Sequence, residues 1–355
     1  MIHEAIRRFF NGGIVPASIV EQADLRGQVA IVTGALKGGL GWETAKVLYE
    51  MGATVILAVI DQQKGEESAR EMVARIKQEA TEKHTAYDHE ATCFGKPNYA
   101  GSGLLDVMVV DLSDLESVKL FTENFKSKYS QLDILVNNAG VMLTPHGVTK
   151  QGVERQFGIN YLGSFLVVHE LMDLIISSNG RVINLSSICM EFITKRHTHT
   201  FSSFTPESVT GPCMNSSSLD LYNRSKFASA VFTQGLDRFF KESTPENNAF
   251  SVCCHPGVIQ TNLYRHRTFM LAVFTLFSFM HKTPFHGAQT SMFLSLAPRE
   301  SIVRGEYYAD CKPKLVNNNR YNVDLQHRLW DTSLQLCKDY ISVKRMLPSA
   351  LKKRI

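Results

Sequence analysis

The feature that most restricts this chain is a recurrence: a short β-branched apolar run, a segment of helical period, then another apolar run. Val29–Val32 leads into a predicted helix from about Gly41 to Met51. Thr54–Ile60 leads into a second, with Met72, Val73, Ile76 and Ala80 on one face. Asp106–Val110 precedes a helix near 113–128, and Asp133–Val136 precedes a long one over about 150–177. Arg181–Leu185, a helix over about 219–242, Phe250–Cys254 and a short strand at Glu306–Tyr308 complete the series. The runs are apolar at successive positions rather than alternate ones, the pattern of strands covered on both faces. Repeated βα units of this length specify an α/β fold: a doubly wound, Rossmann-type parallel sheet with helices on both faces, in a single domain.

With 355 residues, 44% of them hydrophobic and 20% charged, the chain can bury one large core of this kind. A net charge of +4 is too small to argue for nucleic acid, and no such partner is expected. Seven cysteines without paired spacing make no disulfide framework and suit a reducing compartment. Met1–Phe10 has neither the apolar core nor the cleavage site of a signal peptide. The longest apolar run, Phe269–Met280, falls short of the ~18 residues a spanning helix needs. Two polar segments, about 82–103 and about 190–218, interrupt the pattern as surface loops.

Between the first strand and the first helix lies Thr33-Gly-Ala-Leu-Lys-Gly-Gly-Leu-Gly41. Backbone amides at a helix start accept a phosphate when no side chain intervenes. A tight turn without a ligand is the alternative reading. Further along stand Asn137-Asn-Ala-Gly140, Asn160, Ser186-Ser187, Tyr222-Asn-Arg-Ser-Lys226 and Pro256-Gly257. In this order and rough spacing, from about residue 27 to 312, they resemble the short-chain dehydrogenase/reductase family. The "NYLGSF" stretch and the tail after Thr261 are similar to its retinol-dehydrogenase-like branch.

The resemblance implies a nicotinamide dinucleotide. Gly34, Lys37, Gly39, Leu40 and Gly41 would form the pyrophosphate loop, one residue longer than the family's usual turn, with Gly38 absorbing the extra length. Asn138, Ala139 and Gly140 would line the same cleft, and Pro256, Gly257, Val258 and Thr261 its nicotinamide side. The positions that select between a ribose 2′-hydroxyl and a 2′-phosphate fall at the uncharged Val59 and Ile60. Asp61 next to them favours NAD, and Lys37 favours NADP unless it is an ordinary loop lysine, so the choice between NAD and NADP stays open. Asp111 matches an adenine-contacting position, or it caps a helix.

Tyr222 and Lys226, four apart on a helix, project from one face and contact both substrate and cofactor in the family. A tyrosine with its ordinary pKa near 10 needs a neighbouring cation to exchange a proton at neutral pH. Ser187 would hydrogen-bond the substrate oxygen, and Asn160 matches the asparagine that holds a water linked to the lysine. The bland alternative makes Tyr222 a half-buried aromatic and Lys226 a surface charge. Tyr161 and Ser186 are decoys of similar chemistry, Ser186 facing away from its strand neighbour. His197 and His199 read as solvated loop residues, and Cys253, Cys254 and His255 as packing. The Asn184 and Asn223 glycosylation sequons fall on a core strand and in the catalytic motif.

The branch implies lipophilic alcohols and their aldehydes or ketones, of retinoid, sterol or polyprenoid type. Residues 265–282, with Phe269, Phe274 and Phe277 flanked by Arg265, Arg267 and Lys282, fit an apolar lid on anionic lipid, or else a core helix. Residues 1–26 form an N-terminal extension with Phe9 and Phe10 beside Arg7 and Arg8; 313–355 form a C-terminal helical extension ending in the retrieval-like Lys352-Lys-Arg-Ile355. Peripheral membrane association, a homodimer and a place on the cytoplasmic face of the endoplasmic reticulum, on a lipid droplet or in the cytoplasm are therefore expected. A catalytically weak dinucleotide-binding scaffold acting through protein partners is the competing expectation.

Overall fold

The computed structural model describes residues 12–83, 103–192, 204–257, 259, 282–314 and 322–347. Eight strands form one sheet: β1 Val29–Thr33, β2 Thr54–Val59, β3 Leu105–Val109, β4 Ile134–Asn137, β5 Arg181–Leu185, β6 Phe250–Cys254, β7 Tyr307–Ala309 and β8 Lys312–Pro313. Their order is β3-β2-β1-β4-β5-β6-β7-β8, parallel throughout except for the closing β7–β8 pair. Strand order reverses between β1 and β4, which opens a crevice at their C-terminal ends.

Alternate strand residues feed two cores. Ile31, Ile56, Leu135 and Val182 pack on one side with Phe121, Phe165, Phe232 and Trp330. Val32, Leu57, Val136 and Ile183 pack on the other with Trp42, Leu48 and Met292. Both faces being covered is why the strand runs are continuously apolar.

Most element ends lie within a residue or two of expectation, but two helices differ. The stretch over 150–177 is not one helix. It begins at Arg155, where the Glu154 carboxylate accepts from the amides of Gln156 and Phe157, and passes through a π-helical turn at Gly158–Leu162. It continues as Gly163–Glu170 and Met172–Ser177. Val153 instead bridges to Thr210. The helix Pro284–Leu296 has no counterpart in the sequence reading. Thr283 caps it, Pro284 opens it, and everything from Gly287 to Leu296 is buried, so no polar face betrays its period.

Residues at both ends join the same body. Val15, Val20 and Leu25 belong to one core, and Leu325, Leu329, Trp330 and Leu334 of the helix Val323–Leu336 belong to the other.

Candidate active site

β1 ends in Thr33, whose hydroxyl accepts from the amides of Asn138 (3.0 Å) and Ala139 (2.9 Å). The Asn138 amide group donates back to the Thr33 carbonyl at 2.7 Å. The loops after β1 and β4, neighbours across the crevice, are thus tied together. Two glycines let them touch: a Cβ at Gly34 would lie 3.0 Å from the Ala139 Cα, and one at Gly41 only 2.4 Å from Asn138 Nδ2. Gly38, at φ +80°, faces open space and takes up the extra residue in a left-handed turn. Gly39 then caps the helix Leu40–Glu50 without any side-chain hydrogen bond to its first amides. An uncapped helix start beside an open glycine cradle fits the pyrophosphate of a dinucleotide. Leu40 turns its side chain toward Gly287.

The charged candidates further along the crevice all have local partners. Lys37 donates its backbone amide to Ser68 (3.0 Å), and its ammonium stands 3.0 Å from Glu71. Asp61 accepts from the Lys64 amide at 3.1 Å, beginning the helix Gln62–Lys83; that bond holds its carboxyl below the usual range. Ile60 beside it is 62% exposed. Asp111 accepts from the Ser113 amide (2.8 Å) and hydroxyl (2.7 Å), while the helix Leu115–Lys128 is capped by Asp114.

Asn160 sits in the π-helical turn Gly158–Leu162, a kind of turn frequent at functional sites. Its Oδ1 accepts from the Val141 amide (2.7 Å), and its Nδ2 donates to the Val141 carbonyl and to Ser225 Oγ, both at 2.9 Å. The asparagine therefore clamps the loop after Gly140 to the helix Ser218–Ser243. Gly140 lies over the clamp: a Cβ there would be 3.1 Å from Asn160 Oδ1 and 3.3 Å from Lys226 Nζ. Lys226 donates to the Leu185 carbonyl at 2.8 Å, with its ammonium 6.0 Å from the Tyr222 ring centre. Burial pushes Lys226 down to about 8. Tyr222 is buried with Met142 and Leu143, and half-buried Cys189 packs on this group. Ser187 is half-buried beyond β5 and accepts from the Cys189 amide at 3.2 Å.

Ser186 points the other way, its hydroxyl on the Lys226 carbonyl at 2.7 Å. Tyr161 lies in the core with its hydroxyl 2.6 Å from Ser333 Oγ, and burial pushes it far above the ordinary tyrosine value. Asn184 is buried and donates to Thr233 at 3.0 Å; Asn223 is buried as well. Cys253 and Cys254 are core residues whose thiols burial pushes up.

After β6, Gly257 takes φ +86° and donates its amide to His255 Nδ1 at 2.9 Å. Lys282 departs from the sequence reading. It does not face solvent as a lipid-seeking cation: its side chain is 9% exposed and paired with Asp310 at 2.7 Å. Val258, Thr261, His197, His199, residues 1–11, 260–281 and 348–355 lie outside the described residues. Among the described residues no His, Cys, Asp and Glu group could hold a metal, and no helix is long and apolar enough to cross a membrane. Sequence reasoning missed Ser225, whose position inside the Tyr222–Lys226 motif was the available signal, and the Lys282–Asp310 pair, for which there was none.

The family model described as short chain dehydrogenase matches residues 89–196. Retinol dehydrogenase 11 of Homo sapiens is 35% identical over 332 residues, covering 93% of this chain and 91% of that protein. The chain belongs to the short-chain dehydrogenase/reductase family. Membership of this short-chain dehydrogenase/reductase family makes it an NAD(P)-dependent oxidoreductase. Two solved structures share the fold. The 3-oxoacyl (acyl-carrier-protein) reductase of Agrobacterium tumefaciens C58 with NADP bound has a TM-score of 0.57 at 19% identity, covering 82% of this chain and 94% of that one. The 3-ketoacyl-(acyl-carrier-protein) reductase of Brucella melitensis complexed with NADH has a TM-score of 0.52 at 21% identity, covering 80% and 96%.

Proposed function

We propose that this short-chain dehydrogenase/reductase interconverts a lipophilic alcohol and its aldehyde or ketone, with Asn160, Ser187, Tyr222 and Lys226 carrying the chemistry. The observation that carries the reading is the buried Lys226 ammonium beside the Tyr222 ring, held by the Leu185 carbonyl with Asn160 close by. When bound, the nicotinamide supplies or accepts the hydride. Tyr222 holds the proton given to the substrate oxygen, and the Lys226 cation lowers the cost of the phenolate left behind. Ser187 donates a hydrogen bond to the same oxygen as its charge grows. Asn160 fixes the π-helical turn against Val141 and Ser225, keeping Lys226 in register. Gly34, Gly39, Gly41 and the Leu40 amide would hold the pyrophosphate, and Asn138, Ala139, Gly140, Pro256 and Gly257 would line the rest of the cofactor cleft.

A lipophilic substrate is supported by the name of retinol dehydrogenase 11 and by the apolar Met142 and Leu143 against Tyr222. NAD or NADP remains the cofactor pair, because Lys37 and Asp61, which would favour opposite nucleotides, are each engaged by a neighbour. The apolar residues of 265–282 and the basic tail support attachment to a membrane surface on the cytoplasmic side of the endoplasmic reticulum or on a lipid droplet. The test is oxidation of NADH and NADPH by the purified chain with retinal, a steroid ketone and a polyprenal. Turnover of at least one is expected. Nucleotide binding without turnover of any lipophilic carbonyl, or of the matching alcohols with oxidised nucleotide, overturns the reading in favour of the scaffold.

A further inference from the structure

Four stretches of chain meet on one ammonium group beyond the end of β6. Lys282 is buried, with Nζ 2.7 Å from Asp310 Oδ1. Its stem lies on the Pro256-Gly257 turn: a Cβ at Gly257 would stand 2.8 Å from Lys282 Cε and 3.1 Å from Nζ. Asp310 occupies the turn between β7 and β8, where it and Cys311 both hold positive φ, 50° and 60°. Such a conformation is strained for a residue with a side chain, so the turn is held there by its surroundings. The N-terminal stretch crosses on top. A Cβ at Gly12 would fall 2.0 Å from Asp310 Oδ1 and 2.2 Å from Lys282 Nζ, and one at Gly13 would fall 2.0 Å from the Asp310 carbonyl oxygen. Val15 then fixes this stretch by donating its amide to Gln289 Oε1 at 2.9 Å. Ile259 and Lys282 form a parallel bridge, so Lys282 also lies alongside Ile259, two residues past Gly257.

We propose that the Lys282–Asp310 pair is a clasp that positions the Pro256-Gly257 turn, making Lys282 a positioning residue for the nicotinamide half of the cofactor. The assignment rests on the function proposed above. A buried ammonium is tolerated because its partner is present: removing the Asp310 carboxylate strands the Lys282 charge, and removing Lys282 takes away the ammonium that ties the half-exposed Asp310 to the turn. Gly12, Gly13 and Gly257 all approach the pair with bare backbone. The N-terminal stretch, the β7–β8 turn and the Pro256-Gly257 turn would then lose one common anchor together.

The full chain carrying Lys282→Met, Asp310→Asn or Lys282→Arg tests this in two ways. Binding of NADH, NADPH and ADP-ribose is measured by calorimetry, and amide hydrogen exchange is followed at residues 12–15, 257, 259 and 309–311. In Lys282→Met and Asp310→Asn, affinity for the dinucleotide preferred by the wild type should fall about tenfold, in line with the loss of one charged hydrogen bond that holds the turn. ADP-ribose, which lacks the nicotinamide ring, should bind unchanged, and Lys282→Arg should recover most of the loss. Exchange protection should fall at all three stretches in both variants. Equal loss for ADP-ribose, no loss at all, or deprotection confined to one stretch overturns the clasp. If the wild type binds no nucleotide, the functional reading fails and the exchange measurement alone decides. Should Lys282→Met not fold, Asp310→Asn, which alters a residue whose side chain is 53% exposed, carries both measurements.

Discussion

Between pH 8 and 10.5 the unfolded chain keeps a proton on Lys226 that the folded chain, with this amine at about 8, has released. The unfolded state binds more protons there, so stability should rise with pH across that window, and the cost of burying the charge is fully felt below it. Relative to Lys226→Met, the wild type should gain roughly 2–3 kcal/mol from pH 7.5 to 10.5 in urea denaturation; a constant difference would mean that the amine is not depressed. Tyr222→Phe should leave nucleotide affinity near normal and lower turnover by at least ~10²-fold. Tyr161→Phe should do the reverse: it removes a buried hydroxyl bonded to Ser333 and should cost about 1 kcal/mol of stability with turnover kept. The positions of Asn160, Tyr222 and Lys226 are legible in the sequence through the resemblance of their motifs to the short-chain dehydrogenase/reductase family, and the four-residue spacing of Tyr222 and Lys226 puts those two on one helix face. Lys282 is not, because a lysine flanking an apolar run looks the same whether it faces lipid or a carboxylate brought in from 28 residues away.

At the scale of elements, the glycine loop is held by packing as much as by any ligand. Gly41→Val should therefore lower the melting temperature in the absence of nucleotide, since its side chain would collide with Asn138 and the Gly34 carbonyl, an overpacking worth about 1–3 kcal/mol. An unchanged melting temperature with nucleotide binding lost would show instead that the side chain projects toward the phosphates. The strands are readable from apolar runs because both sheet faces are covered. The break in the 150–177 stretch is not readable, because Gly158 and Gly163 in an otherwise apolar helix do not announce a π-helical turn. Helix Pro284–Leu296 is hidden for the opposite reason: buried all round, it offers no contrast between faces.

For the whole molecule, the helix Val323–Leu336 is part of the core. Trp330 packs edge-on to Phe165 at 5.4 Å and parallel to Phe239 at 5.9 Å, and its indole donates to the Arg345 carbonyl. Trp330→Ala should cost about 3–5 kcal/mol in chemical denaturation; a loss below 1 kcal/mol would mean that the helix is a detachable appendage. The same packing dictates when the protein can finish folding during synthesis. Phe165 emerges from the ribosome long before Trp330, and at about 5–20 residues per second the delay is on the order of ten to thirty seconds. Throughout that interval the aromatic face of Phe165, joined part-way by those of Phe232 and Phe239, awaits the tryptophan that covers it, a natural target for chaperones on the nascent chain.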